Sequence, residues 1–257
     1  MRIARASLDG VPTYCEVDGD VLHVLEGGPF AGARRTGERH PIEGVTLLAP
    51  VDPGRTFAVL GGFFDPGSEP AERGQPVLCP KVVPTTSGDG GEVASPPFLE
   101  SLAVEAEMAL VVGRQVRSAT PEEAAGAIWG FTCYNDVTAA QYFPQFWLAK
   151  GLETFASMGP WVRTDLTDDQ IRHGLGIVAR VNGATVQSGT TARYKFSPAE
   201  VVCYLSGFFT LHPGDVVTLG TPPPPADVRP GDVVEIEVEG IGVLTNHVVA
   251  GTSDRRT

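Results

Sequence analysis

The run Leu102-Ala103-Val104-Glu105-Ala106-Glu107-Met108-Ala109-Leu110 decides how this chain is read. It reads as a β-strand. Side chains two apart on a strand share a face, so Glu105 and Glu107 stand side by side, with Leu102, Val104, Ala106, Met108 and Leu110 on the other face. Two carboxylates that close repel unless a positive charge lies between them, and a divalent cation is the obvious way to supply it. A half-buried strand with a polar outer face gives the same alternation. The chain carries such a control: Val234-Glu235-Ile236-Glu237-Val238-Glu239 alternates as cleanly, with nothing chemical around it. Alternation alone leaves both readings open, so the residues downstream must separate them.

Working outward, the 257 residues suffice for one large domain or one domain with a small appendage. Hydrophobic content is 42% and charged content 19%, ordinary for a globular protein. The 31 glycines and 22 prolines imply many turns, which favours strands over a helix bundle. Net charge is −12 with no basic run, so nucleic acid and anionic membranes are poor partners. An anionic substrate would have to be held by a local cluster of metal, Lys or Arg. Lysine is scarce: Lys81, Lys150 and Lys195 are all there is. Cys15, Cys79, Cys133 and Cys203 are scattered without a CxxC, which argues against a zinc site or redox pair. No apolar run approaches a membrane span and residues 1–7 lack a signal-like apolar core, so the expected location is cytoplasmic, with reduced thiols.

Turn dipeptides at Asp9-Gly10, Asp18-Gly19 and Gly27-Gly28 punctuate short strand-like runs, predicting a small β-rich unit over residues 1–45 ahead of a catalytic domain over 46–257. Capping boxes at Thr120–Glu123, Thr167–Gln170 and Ser197–Glu200 predict three helix starts. Strands are expected over 130–135, 176–181, 215–220, 232–239 and 243–249, with a turn at Asn182-Gly183. Pro222 to Pro225 should form an extended polyproline loop. The aperiodic stretch Gly61-Gly62-Phe63-Phe64-Asp65-Pro66-Gly67-Ser68-Glu69-Pro70 reads as a surface connection or a loop over a site.

Two further pieces join the glutamates. Asp136 follows the run Phe131-Thr132-Cys133-Tyr134-Asn135, and Ala149-Lys150-Gly151 precedes Thr154-Phe155 and Gly159-Pro160. In this order, with Asn182-Gly183, Gln187, His212-Pro213-Gly214-Asp215, Gly220-Thr221-Pro222 and Pro230-Gly231-Asp232 after them, the chain resembles the fumarylacetoacetate hydrolase superfamily from about residue 45 to 250. The resemblance implies an α+β, β-rich fold in which a rolled mixed sheet carries the site at its mouth. It implies that Glu105, Glu107 and Asp136 hold one Mg²⁺ or Mn²⁺ ion, an all-oxygen ligand set that suits those ions and not zinc. It places Lys150 beside the substrate as a catalytic group, Thr154 near the metal's waters, and Thr221, Gly220, Gln187 and Lys81 around the substrate. It also implies a homodimer and a small carboxylate substrate, a 2-oxo acid or β-dicarbonyl compound processed through a metal-stabilised enolate.

One motif is broken. Hydrolases of this superfamily carry an Asn-Tyr pair in a lid, then a His and, three residues later, a Glu that together activate water. Here Phe63 and Phe64 replace the pair, Gly67 stands at the His position, and the Glu position falls on Pro70, or on Glu69 after a one-residue slip. A lost general base costs roughly 10²–10⁴-fold in a step that needs activated water. Decarboxylation and tautomerisation do not need it, and Glu69, Glu72 or Lys150 can serve their proton transfers. A lyase or isomerase is therefore expected over a hydrolase. The alternatives are a hydrolase or hydratase using Glu69 or Glu72 as base, and a catalytically reduced member that only binds a ligand.

Overall fold

The computed structural model describes residues 1–64, 67, 73–82 and 87–252. Three sheets contain all its described strands. The largest has eleven strands. Its path runs from Arg34–Pro41 through Val21–Glu26, Val11–Asp18 and Arg2–Leu8 to Ala156–Arg163. It continues through Ile128–Asp136, Ala106–Val112, Val216–Thr218 and Thr56–Leu60 to Val77–Lys81, with Thr46–Leu48 paired on Arg2–Leu8. The strands of residues 1–45 thus continue the sheet that carries the site: Arg2 pairs with Arg163 and Ile3 with Val162. The second sheet orders Ala184–Thr190, Gly176–Val181, Val233–Val238, Gly242–Ala250 and Gly91–Ser95. A two-stranded ribbon joins Ala226–Val228 to Leu102–Val104. Most pairings are antiparallel, but Val216–Thr218 runs parallel to Thr56–Leu60 and Gly242–Ala250 parallel to Gly91–Ser95. The fold is the β-rich, mixed-sheet architecture expected.

The main core lies between the two larger sheets. Met108, Leu110 and Val112 pack in one cluster with Ile177, Ala179, Val234, Ile236, Val238 and Leu244. The opposite side of the same strand is buried too, because Ala109 and Val111 pack with Tyr134, Met158, Val162 and Val216. Every residue from Leu102 to Val112 is buried. That is the first difference between the two glutamate ladders. Val234, Ile236 and Val238 are fully buried, whereas Glu235 and Glu237 are half-buried and Glu239 is exposed, and Arg180 pairs with Glu237 at 2.5 Å. The C-terminal ladder is an ordinary strand with one wet face.

All three capping boxes form, on helices Pro121–Ala125, Asp168–His173 and Pro198–Phe208. A fourth helix, Phe146–Lys150, was not expected; its N-cap Gln145 makes no side-chain cap bond, so no capping signature announces it. The proline run is also different from the extended loop expected. It bends at Pro223 and Pro224, which brings the Pro222 and Pro224 carbonyls onto the Gln187 amide at 2.7 and 2.9 Å.

Candidate metal centre

The strand Leu102–Leu110 is broken at Glu105. Before the break it pairs with Ala226–Val228, and after it with Ile128–Asp136 and Val216–Thr218. The Glu105 carbonyl accepts the Asp136 amide at 3.0 Å, which sets the end of one strand beside the break in the other. Asp136 is the last residue of Ile128–Asp136. Glu105, Glu107 and Asp136 therefore converge, with one carboxylate oxygen of each lying within 4.8 Å of the others. All three are buried, at 8%, 1% and 1% exposure.

Lys150 is the last residue of the short helix Phe146–Lys150. Its Nζ donates to Asp136 Oδ2 at 2.6 Å, to Glu105 Oε2 at 3.0 Å and to Thr138 Oγ1 at 2.9 Å. Lys81 closes the other side: its ammonium donates to Asp136 Oδ1 and to the Phe155 carbonyl. Against the pull of burial, Asp136, Glu105 and Glu107 hold the Lys150 ammonium above its ordinary range. Burial by itself would raise Asp136, but the Lys150 and Lys81 charges hold it below the usual carboxylate value. Burial raises both glutamates: Glu105 rises in spite of the Lys150 charge, and Glu107 is pushed up to about 8 by burial first and then by the Asp136 and Glu105 charges.

The remaining expected residues are close by, and several hydrogen-bond protein atoms of the site. The Gly220 amide donates to Glu107 Oε2 at 2.7 Å. Gly220 has φ of +101°, and a Cβ there would meet Gly62 Cα at 2.7 Å, so only glycine brings this amide to the carboxylate. Gln187 is buried with both ends of its amide satisfied: Oε1 accepts the Ala106 amide at 2.9 Å, and Nε2 donates to Thr221 and to the two proline carbonyls. It is a staple for the Thr221–Pro225 loop. Lys81 is 0% exposed at its side chain and pairs with the Asp136 carboxylate. Thr221 donates to the Ala106 carbonyl at 2.9 Å and lines the cavity. The Thr154 hydroxyl accepts the Ala94 amide at 2.8 Å from a neighbouring strand. Glu69 and Glu72 lie outside the described residues.

One residue went unassigned in the sequence. The Thr138 hydroxyl donates to Glu105 Oε1 at 2.8 Å and accepts from Lys150, tying together two of the groups that matter. Its position two residues after Asp136 was the available signal.

Glu105, Glu107, Lys150 and Thr221 open onto a cavity of about 250 Å³, walled by Val59, Phe63, Phe143, Phe146 and Pro223 among others. All five histidines fall within the described residues and none lines this cavity. His173, His212 and His247 are exposed, while His23 and His40 lie on N-terminal strands.

The donor set fits a divalent ion. Three carboxylates face two ammoniums, leaving one negative charge without a partner, and burial with the Asp136 and Glu105 charges pushes Glu107 toward its neutral form. A divalent ion would turn that excess into a single positive charge, suited to an anionic substrate.

Residues 59–249 match the family described as fumarylacetoacetate (FAA) hydrolase C-terminal. The chain belongs to this family. Residues 1–50 match a second description, Rv2993c-like, N-terminal. The human oxaloacetate tautomerase FAHD2A, mitochondrial, is 34% identical over 227 residues, 81% of this chain and 71% of that protein. The 4-hydroxyphenylacetate degradation bifunctional isomerase/decarboxylase of Escherichia coli is 34% identical over 204 residues, 77% of this chain and 47% of that protein. Among solved structures, a 5-carboxymethyl-2-hydroxymuconate delta-isomerase from Mycobacterium smegmatis superposes with a TM-score of 0.88 at 31% identity, covering 98% of this chain and all of that one. Family membership makes the chain an enzyme of fumarylacetoacetate-hydrolase type. Among the described residues, no helix is long and apolar enough to cross a membrane.

Proposed function

We propose that the protein is a Mg²⁺- or Mn²⁺-dependent enzyme that forms an enolate from a 2-oxo acid or β-dicarbonyl carboxylate, and that it tautomerises or decarboxylates its substrate instead of hydrolysing it. The observation that carries this reading is the convergence of Glu105, Glu107 and Asp136 on one point at the base of a cavity that no histidine lines. Those three residues would hold the ion. When bound, the ion supplies a positive charge for the substrate's chelating oxygens and for the negative charge that develops on them. Lys150 stays charged beside Glu105 and Asp136, so its part is that of a second cation and hydrogen-bond donor to the substrate, not of a neutral base. Thr138 fixes Lys150 against Glu105, and Gly220 fixes Glu107. Burial of the carboxylates excludes competing water from their inner faces.

The missing lid histidine disfavours water activation. The activities in the relatives' names, an oxaloacetate tautomerase, an isomerase/decarboxylase and a delta-isomerase, favour the same choice. A cytoplasmic homodimer is part of the proposal.

The deciding experiment offers the purified protein with Mg²⁺ or Mn²⁺ an enol tautomer, oxaloacetate and an acylpyruvate. Ultraviolet absorbance follows the enol, while CO₂ and chain cleavage are measured in parallel. Enol interconversion or CO₂ release that vanishes with Glu105→Ala, together with lost metal affinity, is the expected result. Efficient acylpyruvate cleavage would reverse the preference for isomerase or lyase. Unchanged metal affinity in Glu105→Ala would remove the metal site itself.

A further inference from the structure

The cavity above the carboxylates is polar at its base and apolar elsewhere. Glu105, Glu107, Lys150 and Thr221 supply its polar groups. Its wall is built from Leu60, Phe63, Phe143, Phe146, Pro223 and Pro225. Phe143 and Phe146 stand at the mouth, 44% and 41% exposed, with ring centroids 5.4 Å apart, while Phe63 is buried deeper and held edge-on against Tyr194. Lys150 is the only cation lining the cavity among the described residues, and it is already shared between Glu105 and Asp136. Lys195 is outside the lining. Its ammonium lies 6.0 Å from the Phe64 ring centroid and 4.0 Å from the point a Cβ on Gly61 would occupy.

A substrate chelated at the base has its far end against this wall. Among the described residues, no cation on this wall is placed to pair with a second carboxylate there. Burying an anion without a partner is costly. An alkyl or aryl group in the same place gains from leaving water, and an aryl ring adds edge and face contacts with the three phenylalanines.

We infer that the site, granted the enolate reading, is specific for 2-oxo acids whose far end is uncharged and apolar, such as an acylpyruvate with an aryl or branched alkyl acyl group. The Phe63–Phe143–Phe146 wall is what selects them. This separates the chain from the tautomerase it resembles, whose name specifies oxaloacetate, a dicarboxylate.

The test is a set of binding titrations on the full chain loaded with Mg²⁺, followed by calorimetry, using oxalate, benzoylpyruvate and oxaloacetate. Benzoylpyruvate is expected to bind about tenfold or more tightly than oxaloacetate, the scale on which apolar pockets discriminate. Phe143→Arg places a cation at the mouth, and should narrow or reverse that preference; Phe146→Arg is the second variant. Equal or tighter binding of oxaloacetate by the unaltered chain overturns the inference. If that binding is lost in Lys195→Met, the second carboxylate reaches the lysine beside Gly61 instead of the wall. Oxalate carries only the chelating ends and so separates two failures. If oxalate does not bind, the enolate reading falls and this inference with it; if oxalate binds and the other two ligands do not differ, the wall alone is wrong.

Discussion

Glu107 is a buried carboxyl that no lysine hydrogen-bonds among the described residues. Burial first, then the Asp136 and Glu105 charges, raise it to about 8, and Glu105 is raised as well, whereas the Lys150 and Lys81 charges hold Asp136 down. The folded, metal-free protein therefore keeps a proton on Glu107 that the unfolded chain has already released. Between roughly pH 4.5 and 8, folding takes up a proton at this site, and stability falls as pH rises through that window. Metal binding needs the ionised form, so it should release this proton and tighten as pH climbs toward about 8. Thermal unfolding of the metal-free protein is expected at progressively lower temperature from pH 5 to 8. Added Mg²⁺ should restore most at the upper end, and Glu107→Gln should flatten the slope. A pH-independent melting temperature in the unaltered chain would contradict this.

At this scale the sequence pointed to residues that converge and was silent about their support. Glu105, Glu107 and Asp136 were singled out together by the ordered motifs of the resemblance and not by spacing, since Glu235 and Glu237 alternate in the same way. Thr138 was not, since its hydroxyl meets Glu105 and Lys150 at separations of 33 and 12 residues, which only the folded chain brings together. Lys81 and Gln187 were legible as members of the site, but not as groups that hold protein atoms. That role depends on complete burial, which no local pattern records.

Among the elements, those with a chemical signature at their ends were readable and those without one were not. Thr120, Thr167 and Ser197 each accept the amide three residues on, as their capping boxes require. The longest of these helices, Pro198–Phe208, buries Val201, Val202 and Leu205 in the main core. Ser197→Ala removes its cap and should cost about 1 kcal/mol. In a chain of this size that lowers the melting temperature by about 2–4 °C. Because this helix lies outside the carboxylate cluster, metal affinity should not change; a shift in metal affinity would show that the cap reaches the site. Phe146–Lys150 had no such signature, and its Phe146 lines the cavity mouth instead of a core stripe. The break at Glu105 was equally hidden, because alternation continues unbroken in sequence through a point where the strand changes partners.

For the whole molecule, composition foretold a turn-rich β fold but not the joining of the N-terminal strands to the sheet of the site. Pairing across more than 150 residues, Arg2 with Arg163, leaves no local trace. The overall charge of −12 has a kinetic consequence. An anionic substrate approaches against a repulsive field that salt screens, with a Debye length of about 10 Å at 0.1 M. Raising ionic strength with an inert salt is expected to increase kcat/KM for such a substrate, by a factor well under about tenfold, through KM and not kcat. A decrease would mean that the local positive charge of the loaded site dominates the approach.

The two larger sheets also meet through the Gln187 side chain. The Ala106 amide, between the two paired glutamates, is held by the Gln187 side chain of the second sheet. Its solvent exchange is consequently governed by the docking of one sheet on the other and not by the fraying of a single strand. A hydrogen–deuterium exchange experiment that resolves this amide gives a direct gauge of whether the two halves of the site open separately. The same peptide carries both glutamates, so loading of the ion should register in it as slowed exchange.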